Sequence, residues 1–223
     1  MKKRSDQKLS GKNSRSLIKR KTYTKKLALN DHIRQQWAQS KILLLGGSAG
    51  SFKLLFRLVK ILPKNLGKSV IIVIHRKKNF FSEIEKLFSE NSRMLLTAIS
   101  DKEPIRENTI YIAPANYHTL VENEGFFSLD VSEPVWYSKP SIDVTFESVA
   151  EVYKQHVTAV LFSGANQDGA EGLLKLRREG ALTIAQDPQD AEMVEMPQSA
   201  IDINAAEYVL RTTEIFELLE SNA

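Results

Sequence analysis

The chain has 223 residues, of which 42% are hydrophobic and 8% aromatic, and it carries 31 Lys and Arg against 27 Asp and Glu. This length and apolar content suffice for one folded domain with a hydrophobic core, which excludes a wholly disordered or fibrous protein. No apolar run reaches the roughly 18 to 20 residues that a membrane-spanning helix needs, so an integral membrane protein is not expected. The absence of cysteine excludes disulfides, a thiolate nucleophile and Cys-based zinc sites.

The N-terminus is basic, but it lacks the apolar core segment and the small-residue cleavage site of a secretory signal. A chain without cysteine is also compatible with a reducing compartment. We therefore expect a cytoplasmic protein.

The positive charge of the chain is concentrated in its first residues. Residues 1–26 contain 11 Lys and Arg and one acidic residue, Asp6, whereas the rest of the chain has a net charge of −6. Like charges at this density repel one another and are too polar to build a core. The composition predicts a basic, flexible arm over 1–38 and a folded catalytic domain over 39–223, and deletion of the arm is expected to leave the fold nearly intact.

Two interpretations of the basic arm fit its composition. The arm can bind an acidic partner, a nucleic acid or an anionic membrane surface by electrostatic attraction. It can equally be a solvated extension without a ligand of its own. We expect an acidic partner or anionic surface at most, and no dedicated nucleic-acid site.

From residue 41 onward, short apolar runs alternate with amphipathic stretches. The run 42–45 ends at two glycines and precedes apolar residues at helical spacing over 54–62, which predicts a strand, a glycine turn and a helix. The run 70–74 is a second strand that ends at His75. The apolar face of the next helix consists of Phe80, Phe81, Ile84, Leu87 and Phe88. Because both strand runs are continuous, they favour a parallel sheet covered by helices on both faces.

The middle of the chain predicts strands of a different kind. Residues 109–113, 118–122 and 126–131 are three short strand-like segments, separated by turn residues at 114–116 and 123–125. This pattern is typical of a meander that contains a hairpin. We expect an antiparallel insertion or edge here.

The alternation of strands and helices resumes after Pro140. A helix is predicted over 142–153, with Ser141 as its N-cap. The later elements are a strand over 157–162, a helix over 170–178, a strand over 182–186, a short helix near 197–203 and a last helix over 213–219. The expected fold is therefore α/β: a doubly wound, mostly parallel sheet flanked by helices, with a small antiparallel hairpin region in the middle of the chain.

In an open parallel sheet, sites gather at the carboxyl ends of the strands, where helix N-termini also point. The loop 46–51 places Ser48 on the turn from strand to helix, with the Gly-x-Ser-x-Gly spacing of a nucleophile elbow. Its glycines allow a sharp turn, and nearby N–H groups can stabilise an oxyanion. The same loop can instead pack tightly or cradle a phosphate.

Two further polar residues are expected at the same edge. His75 ends the strand after that of Ser48, and sequential strands are usually neighbours. Asp168 lies in the loop 163–170, between another apolar strand and its helix. His75 is either a base or a hydrogen-bonded structural residue, and Asp168 either caps its helix or orients the imidazole.

The chain order serine, histidine, aspartate differs from that of the ordinary α/β-hydrolase fold, in which the histidine comes last. A set of ordered motifs within 41–219 instead resembles the catalytic domain of CheB-type protein-glutamate methylesterases, the enzymes that demethylate chemotaxis receptors. The motifs are Gly-Gly-Ser-Ala-Gly-Ser at 46–51, His75, Tyr-Ile-Ala-Pro-Ala-Asn-Tyr-His at 111–118, Lys-Pro-Ser-Ile-Asp-Val at 139–144, Phe-Ser-Gly-Ala-Asn-Gln-Asp-Gly-Ala at 162–170, Gln-Asp-Pro at 186–188 and Met196-Pro197.

The resemblance implies hydrolysis of glutamate γ-methyl esters on a receptor-like helical bundle, with release of methanol and, in the family, often deamidation of selected glutamines. It implies a triad in which His75 takes the proton of Ser48 and Asp168 holds the imidazole. No metal or organic cofactor is expected. The substrate and oxyanion side is expected to comprise Ala49, Gly50 and Met196.

The chain departs from the family pattern near these residues. Ala49 stands where the family commonly has threonine, and the loop 164–169 lacks the usual methionine. His75 lies between Ile74 and Arg76, where Gln and Met are usual. The basic residues before 39 are too few to encode the receiver domain that family members usually carry, so we expect no regulation by phosphorylation in cis.

Two other functions stay open on sequence grounds. One is a module that binds a phosphate or nucleotide with its glycine turn, although the lysine of a Walker motif and a full Gly-x-Gly-x-x-Gly are missing. The other is a catalytically inactive homologue that acts as a binding or adaptor module.

Overall fold

The computed structural model describes residues 31–75 and 83–221, which form one parallel sheet between two layers of helices and a separate hairpin. The strands in these ranges are β1 (Ile42–Gly47), β2 (Ser69–Ile74), β3 (Leu95–Ala98), β4 (Thr109–Ile112), β5 (His118–Val121), β6 (Phe127–Asp130), β7 (Val157–Leu161), β8 (Leu182–Gln186) and β9 (Tyr208–Leu210). The helices are α1 (Asp31–Gln39), α2 (Phe52–Ile61), α3 (Glu83–Asn91), α4 (Ile142–Tyr153), α5 (Ala170–Arg178), α6 (Glu195–Asp202) and α7 (Thr212–Glu220). None of these helices has both the length and the apolar composition needed to cross a membrane.

The strand order places β1 at the centre of the sheet. The order is β3-β4-β2-β1-β7-β8-β9, and the seven strands pair in parallel. The chain therefore builds outward from β1 on one side and then returns to β7 on the other. Ligands bind at such a reversal, in the crevice beyond the carboxyl ends of the strands.

Each face of the sheet buries its own hydrophobic core. Along β1, Leu43 and Leu45 face one layer, which contains α1, α2, α3 and α7, whereas Ile42 and Leu44 face the layer of α4, α5 and α6. Successive side chains of a strand point to opposite faces, so a continuous apolar run is needed to fill both cores. This explains the continuous runs of the sequence and confirms the doubly wound α/β prediction.

The second half of the chain agrees closely with the prediction. Helices α4 and α5 and strand β8 have the predicted bounds. The Ser141 hydroxyl accepts a hydrogen bond from the N–H of Val144 at 3.4 Å, as the predicted N-cap of α4 requires.

The middle of the chain is predicted only in part. Strands β5 and β6 form the expected antiparallel hairpin, but β4 is a parallel strand between β3 and β2, so its assignment to an antiparallel meander is wrong. All four residues of β4 are buried, as suits a strand inside a two-faced sheet. Strands β3 and β9 are absent from the prediction because they are short and partly exposed at the sheet edges.

Helix α1 corrects the predicted boundary of the basic arm at residue 38. Ile33 and Trp37 are each only 1% exposed and lie in the core on the α7 face of the sheet, where α1 packs on α7 and β8. The Lys68 ammonium lies 4.6 Å from the centroid of the Trp37 ring and donates to the carbonyl of Ser40 at 3.0 Å. Residues 31–38 are therefore part of the packed domain. The rest of the predicted arm, 1–30, lies outside the described residues, as do Phe80 and Phe81 of the predicted second helix.

The packing of α1 predicts that Trp37→Ala, like deletion of residues 1–38, destabilises the domain. Loss of a buried tryptophan side chain costs about 3 to 5 kcal/mol of unfolding free energy. Urea denaturation followed by circular dichroism measures this loss. Trp136→Ala is the matched control, because Trp136 is 41% exposed and its removal should cost clearly less. Equal losses for the two variants would show that α1 does not pack as described.

Candidate active site

Three neighbouring strands bring the predicted site residues to one edge of the sheet. Ser48 follows β1, His75 follows β2, and Asp168 lies in the loop after β7. The N–H of His75 donates to the carbonyl of Gly47 at 3.2 Å, and the N–H of Ser48 donates to the carbonyl of Ser163 at 2.9 Å. These backbone bonds extend the sheet by one residue and fix the three loops against one another.

The turn that carries Ser48 is tight and depends on glycine. The N–H and hydroxyl of Ser51 both donate to the carbonyl of Ser48, at 3.0 and 2.7 Å. Gly50 has a φ of +82°, and a Cβ atom there would lie 2.6 Å from the Ser163 hydroxyl. Only glycine combines this left-handed conformation with so close an approach.

Two backbone donors of the turn are available for a ligand. Among the described residues, no acceptor binds the N–H of Ala49 or of Gly50. Both precede α2, whose amino end favours negative charge. The predicted oxyanion donors thus lie next to Ser48 with their hydrogens unused.

His75 and Asp168 are joined by a short hydrogen bond. The Nε2 atom of His75 lies 2.6 Å from Oδ2 of Asp168, and the Asp168 side chain is fully buried. An ionised carboxylate can only accept hydrogen bonds, so Nε2 carries the proton. In the neutral imidazole, the lone pair that can act as a base is therefore on Nδ1.

The Asp168 carboxylate is held by three further donors at the start of α4. Its Oδ1 accepts from the Ser141 hydroxyl and from the N–H of Asp143, both at 2.9 Å, and its Oδ2 accepts from the N–H of Ile142 at 2.8 Å. Burial by itself raises the pKa of Asp168. The hydrogen bond and charge of His75 and the two N–H groups outweigh burial and hold that pKa below its usual range. The acid therefore stays ionised beside His75.

The nitrogen Nδ1 of His75 is occupied by a serine that the sequence did not indicate. The hydroxyl of Ser138 lies 3.1 Å from Nδ1 and donates to it in the neutral imidazole. The Ser48 hydroxyl makes no hydrogen bond with any residue of the described chain. The structure thus pairs His75 with Asp168 as predicted, and it places Ser48 beside them without a hydrogen bond to the base.

A second buried carboxyl, Asp143, adjoins the pair. Its Oδ1 accepts from the N–H of Gly172 at 2.8 Å, and its Oδ2 accepts from the indole N–H of Trp136 at 3.3 Å. Burial, together with the charge of Asp168 and a hydrogen bond between the two carboxyl groups, raises the pKa of Asp143 to about 7. The sequence offered one signal for this residue, its place in the Lys-Pro-Ser-Ile-Asp-Val motif.

Met196 is fully buried, unlike the predicted oxyanion residues Ala49 and Gly50. Its side chain is fully buried against Gly164, where an added Cβ would lie 2.5 Å from the methionine methyl group. Its N–H donates to the carbonyl of Gly164 at 3.0 Å. Met196 therefore supports the loop that holds Asp168, and a direct contact with substrate stays a prediction. Among the described residues, no three His, Cys, Asp or Glu side chains converge as metal ligands would.

The doubly wound parallel sheet and the histidine–aspartate pair at its edge indicate a hydrolase, although the chain order of Ser48, His75 and Asp168 is not that of the ordinary α/β-hydrolase fold. The family model of CheB methylesterase matches residues 43–219. The crystal structure of the Thermotoga maritima CheB methylesterase catalytic domain superposes with a TM-score of 0.77 at 30% identity, covering 81% of this chain and 97% of that one.

Sequence relatives agree with this match. A Leptospira interrogans protein is 37% identical over 176 residues, which are 79% of this chain and 91% of that protein. The protein-glutamate methylesterase/protein-glutamine glutaminase of Symbiobacterium thermophilum is 32% identical over 179 residues, which are 80% of this chain but 49% of that protein. The chain belongs to the CheB methylesterase family. The predicted family, fold and carboxylic ester hydrolase class are thereby confirmed.

The raised pKa of Asp143 predicts how Asp143→Asn changes stability with pH. The carboxyl titrates near 3.8 when unfolded and at about 7 when folded, so between these values the folded state holds more protons. The free energy of unfolding of the parent therefore falls as the pH rises from about 4 to about 7. Asparagine does not titrate, so the variant should gain stability relative to the parent over this range, by an amount on the order of a few kcal/mol.

Urea denaturation of both proteins at pH about 5 and about 8 measures this difference. Asp130→Asn is the control, because a hydrogen bond from the Ser132 hydroxyl lowers the pKa of Asp130 and keeps this carboxyl ionised at both pH values, so the stability difference of this variant should be the same at both. A stability difference between Asp143→Asn and the parent that does not change with pH would contradict the prediction.

Proposed function

We propose that the chain hydrolyses glutamate γ-methyl esters on a protein substrate and releases methanol. The observation that carries the proposal is the 2.6 Å contact between His75 and the buried Asp168, beside the serine turn of a chain in the methylesterase family. The name of the Symbiobacterium relative specifies a protein-bound glutamate as the esterified group. A helical bundle of a methylated receptor is the substrate proposed for this chain.

The first half of the reaction forms an acyl-enzyme. The Ser48 oxygen attacks the ester carbonyl while Nδ1 of His75 takes its proton, and the charge of Asp168 stabilises the imidazolium. The oxyanion is bound by the free N–H groups of Ala49 and Gly50. When the tetrahedral intermediate collapses, the C–O bond to methoxide breaks and His75 returns the proton, so methanol leaves.

The second half releases the product. Water attacks the acyl carbonyl, Nδ1 of His75 takes the proton from that water, and the Ser48 oxygen leaves with this proton. The substrate keeps a glutamate carboxylate. A glutamine amide at the same position would follow the same steps with ammonia as the leaving group, and the names of the relatives include glutaminase activity.

The two alternative functions have less support. The inactive-homologue alternative gains nothing from the comparisons, since the relatives carry the names of active hydrolases. For the phosphate-binding alternative, the described residues of the Ser48 turn offer no lysine at the Walker position.

We also propose a role for the basic residues 1–30 as a contact to an anionic partner or surface, because residues 1–26 carry 11 Lys and Arg and a single acid.

The proposed location of the protein is the cytoplasm, which cell fractionation tests.

The proposed mechanism predicts a rank order of variants. Ser48→Ala and His75→Ala should lower kcat by about 10⁴- to 10⁶-fold, because the nucleophile and the base act as a unit. Asp168→Asn should lower kcat by about 10⁴-fold. Methanol release from N-acetylglutamate γ-methyl ester amide measures the three rates. Ser89→Ala on the exposed face of α3 is the control and should match the parent.

Labelling identifies the nucleophile directly. A fluorophosphonate probe followed by mass spectrometry should modify Ser48, whereas modification of Ser138 would contradict the proposed nucleophile. Circular dichroism of Asp168→Asn is needed as well, because Asn cannot accept the four hydrogen bonds that Asp168 accepts and part of its loss can come from unfolding.

The proposed role of the basic residues predicts salt-dependent binding to an anionic surface. Binding of the full chain to vesicles that contain phosphatidylglycerol should weaken at least about tenfold between about 0.05 and 0.5 M salt, because mobile ions screen exposed charges. Deletion of 1–30, which retains α1, should remove this binding while ester hydrolysis continues. Equal vesicle binding by the full and the shortened chain would rule out the role.

A further inference from the structure

The turn 135–138 holds two aromatic side chains at the edge that carries His75. Trp136 is 41% exposed and Tyr137 is fully exposed. Reciprocal backbone hydrogen bonds of 3.2 and 2.9 Å join Val135 and Ser138, so the two aromatic residues occupy the centre of a tight two-residue turn. Their φ angles are +49° and +60°.

This conformation is costly for these residue types. Turns with positive φ at both central positions favour Asn and Gly, and a bulky residue in this region costs on the order of 1 to 3 kcal/mol. The ring of Tyr137 has no hydrogen bond or ring contact with the described residues that would offset the cost. Folding alone therefore does not explain why Trp136 and Tyr137 stand here.

The turn is tied to the catalytic pair by two routes. The Ser138 hydroxyl reaches Nδ1 of His75 at 3.1 Å, with a longer contact of 3.4 Å to the carbonyl of Trp136. The Trp136 indole donates to Asp143 at 3.3 Å, and the N–H of Asp143 donates to Asp168 at 2.9 Å. The amide of Asn166 also donates to the carbonyl of Trp136 at 3.1 Å. The position of the aromatic pair relative to His75 is therefore fixed.

The turn lies next to the path of a protein substrate to His75. Tyr137 adjoins Ser138, so its Cα lies about 3.8 Å from that of a residue in contact with the base. An α-helix with its side chains is about 10 Å across. A helix that brings an esterified glutamate to Ser48 and His75 is therefore wide enough to reach Trp136 and Tyr137.

The surface around Trp136 and Tyr137 suits an apolar rather than an acidic side chain of the substrate. The cation nearest in sequence, Lys139, donates to the carbonyls of Val131 and Ser132 at 2.9 and 2.6 Å. Two exposed apolar residues, Met193 and Val194, flank the loop of Asp168 near the Ser48 turn, where the N–H of Gly164 donates to the carbonyl of Met193 at 3.2 Å. Apolar surface at both ends of the site matches the apolar stripe of an amphipathic helix.

We propose that Trp136 and Tyr137 form a docking surface for the helical segment that carries the ester, and that they select an apolar side chain one helical turn from the esterified glutamate. The proposal rests on the proposed function, because it takes the substrate to be a protein. It extends that function by naming the residues that recognise the substrate and the residue type they select.

The test compares two helical peptides, each with one glutamate γ-methyl ester and with either leucine or serine at the positions three and four residues away. Fluorescence anisotropy measures their Kd for the full chain carrying Ser48→Ala, which binds without turnover. The leucine peptide should bind at least about tenfold more tightly, as is typical of a buried aromatic anchor. Adding Tyr137→Ala should reduce this preference to less than about threefold, and Tyr137→Phe should retain it.

Leu95→Ala is the matched control, since Leu95 is 67% exposed at the amino end of β3, on the opposite edge of the sheet. A leucine preference that persists in both Tyr137→Ala and Trp136→Ala overturns the proposal, as does equal binding of the two peptides by Ser48→Ala alone.

Methanol release by the parent separates the proposed docking surface from the proposed esterase function. A parent that binds with the preference but hydrolyses no ester supports the docking surface and refutes the esterase, whereas hydrolysis without any preference does the reverse.

Discussion

One carboxylate holds both the fold and the site in place. Asp168 is buried, and it accepts hydrogen bonds from the Ser141 hydroxyl, from two N–H groups at the start of α4 and from His75. A helix N-terminus favours an anion, so the same charge that orients the imidazole also anchors α4. The start of α4 in turn packs on β1, because a Cβ atom at Gly46 would lie 2.7 Å from Ile142. Sheet, helix and base are thus fixed to one another through Asp168.

The neighbouring Asp143 places a second carboxyl group in the same buried region as Asp168. Two ionised carboxylates in one buried place repel each other, and the pKa of Asp143 is raised to about 7, so at lower pH it holds a proton and only Asp168 is charged. The protonated Asp143 carboxyl can then donate a hydrogen bond to the Asp168 carboxylate. Below that pH the site therefore keeps one negative charge next to His75, which stabilises an imidazolium without a second buried charge.

Elements that depend on the local sequence pattern were predicted correctly, whereas strand pairing and long-range side-chain contacts were missed. Helices α4 and α5 have strong apolar periodicity and clear end signals, and their bounds agree with the prediction. Whether β4 is parallel depends on its neighbours β3 and β2, about which its own residues say nothing. Polar composition around α1 concealed the pair Ile33 and Trp37, whose spacing of four residues places them on one face of a helix. His75 and Asp168 could be predicted because each follows an apolar strand. The contact between Ser138 and His75 could not, because the two residues are 63 positions apart and no sequence motif indicates the turn that contains Ser138.

The two serines near His75 connect the proposed docking surface with the proposed mechanism. Because Nε2 carries the proton toward Asp168, Nδ1 is the basic nitrogen, and in this structure the Ser138 hydroxyl occupies it. In the proposed mechanism, Ser48 acts as nucleophile only when its own hydroxyl replaces that of Ser138. A neutral hydrogen bond is worth about 1 kcal/mol net, so exchanging one hydroxyl for another costs little. Ser138 ends the turn that carries Trp136 and Tyr137, so a helix docked on those rings, as proposed, adjoins the residue whose hydroxyl contacts the base. The proposed docking and the release of Nδ1 therefore both involve the turn 135–138, and this favours an esterase that is more active on a protein-bound ester than on a free one.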